Sequence, residues 1–271
     1  MKINTIYNED CMLTMDNMFN NGVTCDVILT SPFYNTNKKA GNNRTLTNTN
    51  VKKGQYDYVR YDVHVDNMSD EEYATYTVNL FRQFDRVLNT NGSILYNLSY
   101  GAENVECMFK AINAIITQTP FTIADCIIWK KKTALPNSCS PNRLTRLTEF
   151  VFVICRKSEL KTFHMNKKVT SIRKTGQKAY ENITNLIEAK NNDGTCPYNK
   201  ATYSSDLCEK LLTIYAPKEA TIYDPFMGSG TTAVACVKMG LNYIGSEISQ
   251  NQCNWAVERI ENVTRGIDYV S

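Results

Sequence analysis

Short apolar runs alternate along this chain with longer stretches whose apolar residues recur every three or four positions. Five of the six residues in Cys25–Thr30 are apolar or β-branched, which predicts a buried strand running straight into Ser31-Pro32-Phe33-Tyr34. Further strands are predicted at 93–98, 123–130, 150–156, Thr221–Asp224 and Asn242–Ser246. Ser69-Asp70-Glu71-Glu72 is a capping box opening a helix with Tyr73, Tyr76, Leu80, Phe84, Val87 and Leu88 at helical spacing, ended by Asn91-Gly92. Helices are also predicted at 104–117, 206–215 and Thr231–Met239, the last stopped by Gly240. Strands alternating with helices argue for an α/β fold with a doubly wound, mainly parallel sheet. The Asn- and Thr-rich stretch 35–60 reads as a long loop that follows the first strand and closes over a ligand.

Two segments carry candidate chemistry. The strand Thr221–Asp224 leads through Pro225-Phe226-Met227-Gly228-Ser229-Gly230 into the helix Thr231–Met239, a strand–turn–helix cradle. Its glycines allow a tight turn and close approach of a ligand, and the helix start offers N–H groups and a positive dipole end. Glu247 ends the next strand, where an acid in such a fold grips the ribose hydroxyls of a nucleotide-like cofactor. Gly228-x-Gly230-x-x-Ala233 also satisfies a dinucleotide fingerprint, so a nicotinamide dehydrogenase competes, although no hydride-transfer site is visible. In the other segment, Ser31 and the Pro32 carbonyl are placed to accept hydrogen bonds from an exocyclic amine, and Tyr34 offers a face for a flipped base.

With Ser31-Pro32-Phe33-Tyr34 first and Phe226-Met227-Gly228-Ser229-Gly230 later, the chain resembles the S-adenosylmethionine-dependent DNA amino-methyltransferases. Their signature is an (Asp/Asn/Ser)-Pro-Pro-(Tyr/Phe/Trp) tetrapeptide and a Phe-x-Gly-x-Gly loop, here in the permuted order of the β group. The resemblance covers most of the chain and implies a Rossmann-like methyltransferase fold, S-adenosyl-L-methionine as cofactor, and direct methyl transfer to a flipped base. It makes Ser31, Pro32, Phe33 and Tyr34 catalytic. It assigns Asp10 to the cofactor adenine, Lys200, Ala201 and Tyr203 to its methionine end, and Asp224, Phe226, Gly228, Ser229, Gly230, Thr231, Thr232 and Glu247 to the cofactor loop and ribose. Trp129-Lys130 with Arg143, Arg146 and Glu149 is similar to the family's later catalytic-domain motif. Within the family, serine in the first tetrapeptide position leans towards N4 of cytosine, with N6 of adenine the alternative. Phe33 departs from the second proline, and Asn199 stands where many relatives have histidine. The implied organisation is a catalytic part at 1–156, a target-recognition region at 157–195 and a cofactor-binding part at 196–271.

The net charge of +3 changes the picture only through its distribution. Between 130 and 178 there are 13 Lys or Arg against two Glu, net +11, which leaves −8 elsewhere and points to one basic face for a phosphate backbone. The candidate DNA contacts are Lys38, Lys39, Arg44, Lys130, Lys131, Arg143, Arg146, Lys167, Lys168, Arg173 and Lys174. A nucleic-acid-binding module without catalysis is a further competing reading. The ten cysteines include no Cys-x-x-Cys pair and the two histidines are isolated, so reduced thiols and no metal are expected. No apolar run of about 18 residues occurs, so a cytoplasmic, nucleoid-associated protein with no membrane contact is expected. The resemblance adds a homodimer and a cognate restriction endonuclease as partners to look for.

Overall fold

A computed structural model describes residues 1–35, 68–100, 104–134, 141–194, 196–199 and 202–266. Lys38, Lys39, Arg44, Lys200, Ala201 and nearly all of the predicted 35–60 loop lie outside the described residues.

One eight-stranded sheet organises the fold. In chain order its strands are β1 (Thr5–Tyr7), β2 (Cys25–Thr30), β3 (Leu88–Leu98), β4 (Phe121–Lys131), β5 (Thr148–Arg156), β8 (Leu186–Ala189), β9 (Thr221–Asp224) and β10 (Asn242–Ser246). They lie side by side as β1-β10-β9-β2-β3-β5-β4-β8, and every pairing is parallel except those of β5 with β3 and β4. Successive strand residues point to opposite faces, so β2 supplies both cores. Val27 and Leu29 pack with α4 (Ser205–Tyr215) and α5 (Thr231–Met239), while Ile28 packs with α1 (Cys11–Asn20), α2 (Asp70–Val87) and α3 (Val105–Gln118). α6 (Gln250–Thr264) adds Ile260 to the first of these faces. The predicted doubly wound, mainly parallel sheet is therefore observed.

The connections place a functional edge. From β2 the chain crosses through α2 to β3 on one side, and from β9 it crosses through α5 to β10 on the other. The winding thus reverses between the neighbours β2 and β9, and ligands of open α/β sheets bind at the carboxyl ends of strands at such a switch point. Ser31-Pro32-Phe33-Tyr34 leaves β2 there and Phe226-Met227-Gly228-Ser229-Gly230 leaves β9 beside it.

Two boundaries differ from the pattern. The helix after the capping box stops at Val87 rather than at Asn91-Gly92, and β3 begins immediately at Leu88. Asn91 and Gly92 instead lie within a long strand whose register shifts against β2; Asn91 has φ 59°, and a Cβ on Gly92 would come within 2.9 Å of the Asp26 carbonyl. Residues 157–194 divide into parts that join the main fold and a part that does not. Phe163 and Met165 pack on the core and β8 extends the main sheet, whereas β6 (Val169–Ile172) and β7 (Lys178–Tyr180) form a separate two-stranded hairpin, almost wholly exposed.

Candidate active site

The catalytic turn is held from three sides. Tyr73 of α2 donates its hydroxyl to the Phe33 carbonyl at 2.7 Å. The Phe33 ring is buried against Tyr73, Tyr76 and Phe226, at centroid separations of 5.5, 5.4 and 6.2 Å. Phe33 is therefore no stacking platform for a base; packing at this position takes over the stiffening that a second proline would supply. Asn35 closes the turn in the left-handed region at φ 49°, its amide donating to the Met68 carbonyl at 2.8 Å.

Ser31 and Tyr34 are half-buried and meet a polar group that the tetrapeptide alone does not announce. Ser31 Oγ lies 2.9 Å from Tyr34 Oη, and Tyr34 donates to Glu149 Oε2 at 2.9 Å. Asn97 Nδ2 reaches Tyr34 Oη at 2.6 Å, Glu149 Oε2 at 3.1 Å and Ser31 Oγ at 3.2 Å. Lys131 donates to Glu149 Oε1 at 2.5 Å. Sheet pairing explains the convergence, because β3 and β4 end, and the antiparallel β5 begins, on the edge from which the tetrapeptide emerges. Asn97 was missed by motif reading, yet a buried asparagine closing the apolar run Ile94-Leu95-Tyr96 is a signal. The carboxylate forces its amino side inward, which leaves Asn97 Oδ1 buried with no partner among the described residues, at a cost of roughly 1–3 kcal/mol.

Beside it, the glycine loop rests on a buried acid. Asp224 Oδ1 accepts from Thr30 Oγ1 at 2.8 Å and the Phe226 amide at 3.0 Å, and Oδ2 accepts from Thr232 Oγ1 at 2.6 Å and Tyr203 Oη at 3.1 Å. Burial pushes the Asp224 carboxyl and the Tyr203 phenol up from their ordinary values, while the donors to Asp224 oppose that rise. Asp224, Tyr203 and Thr232 are buried beneath the loop and support it from below. The Thr30–Asp224 bond and the Phe33–Phe226 contact lock the catalytic and glycine segments together, although nearly 200 residues separate them in sequence.

The glycine loop is shaped for a nucleoside. Gly228 and Gly230 have φ of +53° and +82°, and Gly230 caps α5 with no side-chain bond to the helix start. Glu247 directly follows β10, accepting from the Gly228 amide and the Ser249 amide, each at 2.8 Å. Asn8 donates to the Glu247 carbonyl at 2.8 Å, which brings the end of β1 alongside; there Asp10 is exposed and caps α1 through the Met12 amide. A loop with two glycines at positive φ, a helix start and two acids beside adjacent strand ends fit the donors and hydroxyls of an adenosyl cofactor. Arg259 of α6, another residue without a sequence signal, donates to the Ser229 carbonyl at 2.7 Å and to Ser229 Oγ and Thr231 Oγ1 at 3.2 Å, and pairs with Asp193 at 2.8 Å. Asn199, in place of histidine, donates to Gln252 Oε1 at 2.9 Å over Gly228.

The basic residues divide. Lys130 pairs with Glu188 at 2.7 Å on the surface, and Lys131 pairs with Glu149 inside the catalytic cluster. Arg156 and Lys157 serve helix ends and loop carbonyls around Leu88 and Thr119. Arg143 and Arg146 stand on the exposed 141–147 segment, with the Arg146 guanidinium 4.5 Å above the Tyr100 ring. Lys167, Lys168, Arg173 and Lys174 lie on and beside the exposed β6–β7 hairpin. Buried thiols are pushed up, Cys11 to about 12 and Cys107 and Cys253 to about 11, mainly by burial, which leaves them poor nucleophiles. No helix among the described residues is long and apolar enough to cross a membrane.

Comparison with known proteins agrees with this geometry. The N6/N4 methyltransferase family model, described as DNA methylase, matches residues 25–258. The type II methyltransferase M.HinfI of Haemophilus influenzae is 25% identical over 96% of this chain and 69% of its own length. M2.MboI of Moraxella bovis is 24% identical over 89% of this chain and 82% of its own. Among solved structures, the cytosine-N4-specific PvuII DNA methyltransferase superimposes with a TM-score of 0.65 at 16% identity, covering 96% of this chain and 90% of that one. M1.HpyAVI in its complex with S-adenosylmethionine gives 0.58 at 19% identity, covering 94% and 97%.

Proposed function

This chain belongs to the DNA methylase family of S-adenosylmethionine-dependent N6/N4 amino-methyltransferases, and from that premise we propose that it methylates N4 of cytosine in duplex DNA at a specific sequence. The observation carrying this reading is the junction of the Ser31-Pro32-Phe33-Tyr34 turn with the glycine loop at the switch point, fastened by Thr30–Asp224 and Phe33–Phe226. When bound, S-adenosylmethionine supplies an electrophilic sulfonium methyl group. The chain's own work is to deliver and orient the amine. An exocyclic nitrogen inside a duplex is out of reach, so the base is flipped, at a cost on the order of a few kcal/mol. The Tyr34 ring, pinned through its hydroxyl by Asn97 and Glu149, is the stacking surface. Ser31 Oγ and the Pro32 carbonyl hold the amine hydrogens, turn the nitrogen lone pair towards the glycine loop and stabilise the positive charge that grows on the nitrogen.

Serine in the first tetrapeptide position, which within the family leans towards N4 of cytosine, together with a structural neighbour described as cytosine-N4-specific, supports the choice of cytosine. Region 157–195, and above all the β6–β7 hairpin with Lys167, Lys168, Arg173 and Lys174, is the part we assign to DNA recognition, with Arg143 and Arg146 of the exposed 141–147 segment as further contacts. Incubation with S-adenosylmethionine and mixed-sequence DNA, followed by nucleoside mass spectrometry, tests the whole reading. N4-methylcytosine is the expected product; N6-methyladenine overturns the choice of base, and the absence of any methylated base overturns the activity. Ser31→Ala is expected to abolish transfer.

A further inference from the structure

A serine hydroxyl carries one proton and two acceptor lone pairs, and it can present either to a base amine. Only a lone pair suits an amine N–H; a proton pointing the same way would oppose it. The neighbours of Ser31 decide between the two. Glu149, once ionised, can only accept. Lys131 occupies Oε1 at 2.5 Å, and Oε2 takes the single proton of Tyr34 at 2.9 Å. With that proton committed, Tyr34 Oη can only accept from Ser31 Oγ, 2.9 Å away. Asn97 Nδ2 adds a donor to the same oxygens, at 2.6 Å to Tyr34 and 3.2 Å to Ser31, and leaves Ser31 no second use for its proton. Every donor in the chain Lys131, Glu149, Tyr34, Ser31 points towards Glu149, Lys131 from one side and Ser31 through Tyr34 from the other.

We propose that Lys131, Glu149 and Tyr34 form a positioning relay that fixes the Ser31 hydroxyl as an acceptor towards the target amine. The inference rests on the amine-binding role of Ser31 given above and deepens it. Glu149 and Lys131 touch no reacting atom in this scheme; they act through Tyr34. Both sit on the antiparallel part of the sheet, outside the two signature motifs.

The relay predicts that the isosteric Glu149→Gln is worse than the shorter Glu149→Asp. In Glu149→Gln the carbonyl turns to Lys131, so the amino group donates to Tyr34, Tyr34 donates to Ser31, and the Ser31 proton turns outward. Glu149→Asp keeps an acceptor-only group. Single-turnover transfer, at saturating DNA and S-adenosylmethionine, is expected to fall about 100-fold in Glu149→Gln, as when a transition-state hydrogen bond is removed, with both dissociation constants unchanged. Tyr34→Phe keeps the ring and breaks the relay, so it is expected to lose less, and Tyr34→Phe/Glu149→Gln to match Tyr34→Phe alone. Glu149→Gln as active as wild type, Glu149→Asp slower than Glu149→Gln, or independent losses in the double variant would each overturn the relay. Ser31→Ala separates the two levels: if it is inactive while Glu149→Gln is fully active, only the relay fails, and if it is fully active, the assignment of Ser31 fails with it.

Discussion

At the residue scale, Gly230 shows how one missing side chain sets the geometry of the cofactor loop. Its φ of +82° is strained for any other residue, and a Cβ there would lie 2.6 Å from Ala256 Cβ and 3.0 Å from Ala256 Cα. Because the second contact is with helix backbone, α6 itself must shift. Gly230→Ala is expected to destabilise the protein by about 2 kcal/mol or more, combining backbone strain with overpacking. Urea unfolding measures it, and an unchanged midpoint would show that loop and helix are less tightly apposed. Gly230 was readable in the sequence as part of Phe226-x-Gly228-x-Gly230, but its packing partner was not, because Ala256 lies on a mostly polar helix whose buried residues are only Gln252, Cys253 and Ala256. Ser31 and Glu149 each stand in a segment that the sequence marks, but their meeting is not legible, because Glu149 reaches the tetrapeptide from a different strand.

At the element scale, α2 holds the catalytic turn through Tyr73, and its N-terminus is a reciprocal capping box: Ser69 accepts from the Glu72 amide and Glu72 accepts from the Ser69 amide. Ser69→Ala is expected to cost about 1 kcal/mol of stability by urea unfolding. The bond from the Ser69 amide, and then the Ser69 hydroxyl, holds the Glu72 carboxyl below its ordinary 4.5. A lowered folded value means that the unfolded chain binds the proton more readily. The contribution of Glu72 is therefore complete above pH 4.5 and lost as pH falls through its lowered folded value. The stability difference between wild type and Glu72→Gln should shrink over that acid window, and a difference that stays constant would exclude the linkage. This cap was legible because its signal is local, four consecutive residues. The end of the same helix was misread because Asn91-Gly92, an ordinary helix stop, serves a strand irregularity that exists only where β3 meets β2.

At the scale of the whole molecule, the basic excess between 130 and 178 resolves into two populations. Lys130 and Lys131 are paired with acids, and Arg156 and Lys157 bind carbonyls, whereas Lys167, Lys168, Arg173 and Lys174 surround the projecting hairpin. If the hairpin binds DNA, replacing those four with alanine should weaken the complex and reduce the slope of log K against log salt by roughly 0.9 for each phosphate that is no longer neutralised. Affinity for S-adenosylmethionine should not change. Lys130→Ala, by contrast, should leave the slope near the wild-type value. Equal salt slopes for wild type and the hairpin variant would place DNA on another surface.

Periodicity along the chain was enough to specify the α/β class, the central strands β2, β9 and β10, most helices, and the two motifs, since each depends on neighbours within a few residues. Short or polar elements escaped it: β1 has three residues, β8 has four at the sheet edge, and α6 buries too little to show an apolar stripe. What only tertiary structure decided is which residues meet. Glu149 enters the site because an antiparallel β5 starts where its parallel neighbours end, Arg259 because α6 folds back over the glycine loop, and Thr30 because β2 and β9 are adjacent. Such contacts join residues 194 positions apart in Thr30 and Asp224, and 239 apart in Asn8 and Glu247. Sequence spacing carries no record of them, because they arise from strand order and pairing rather than from local propensity.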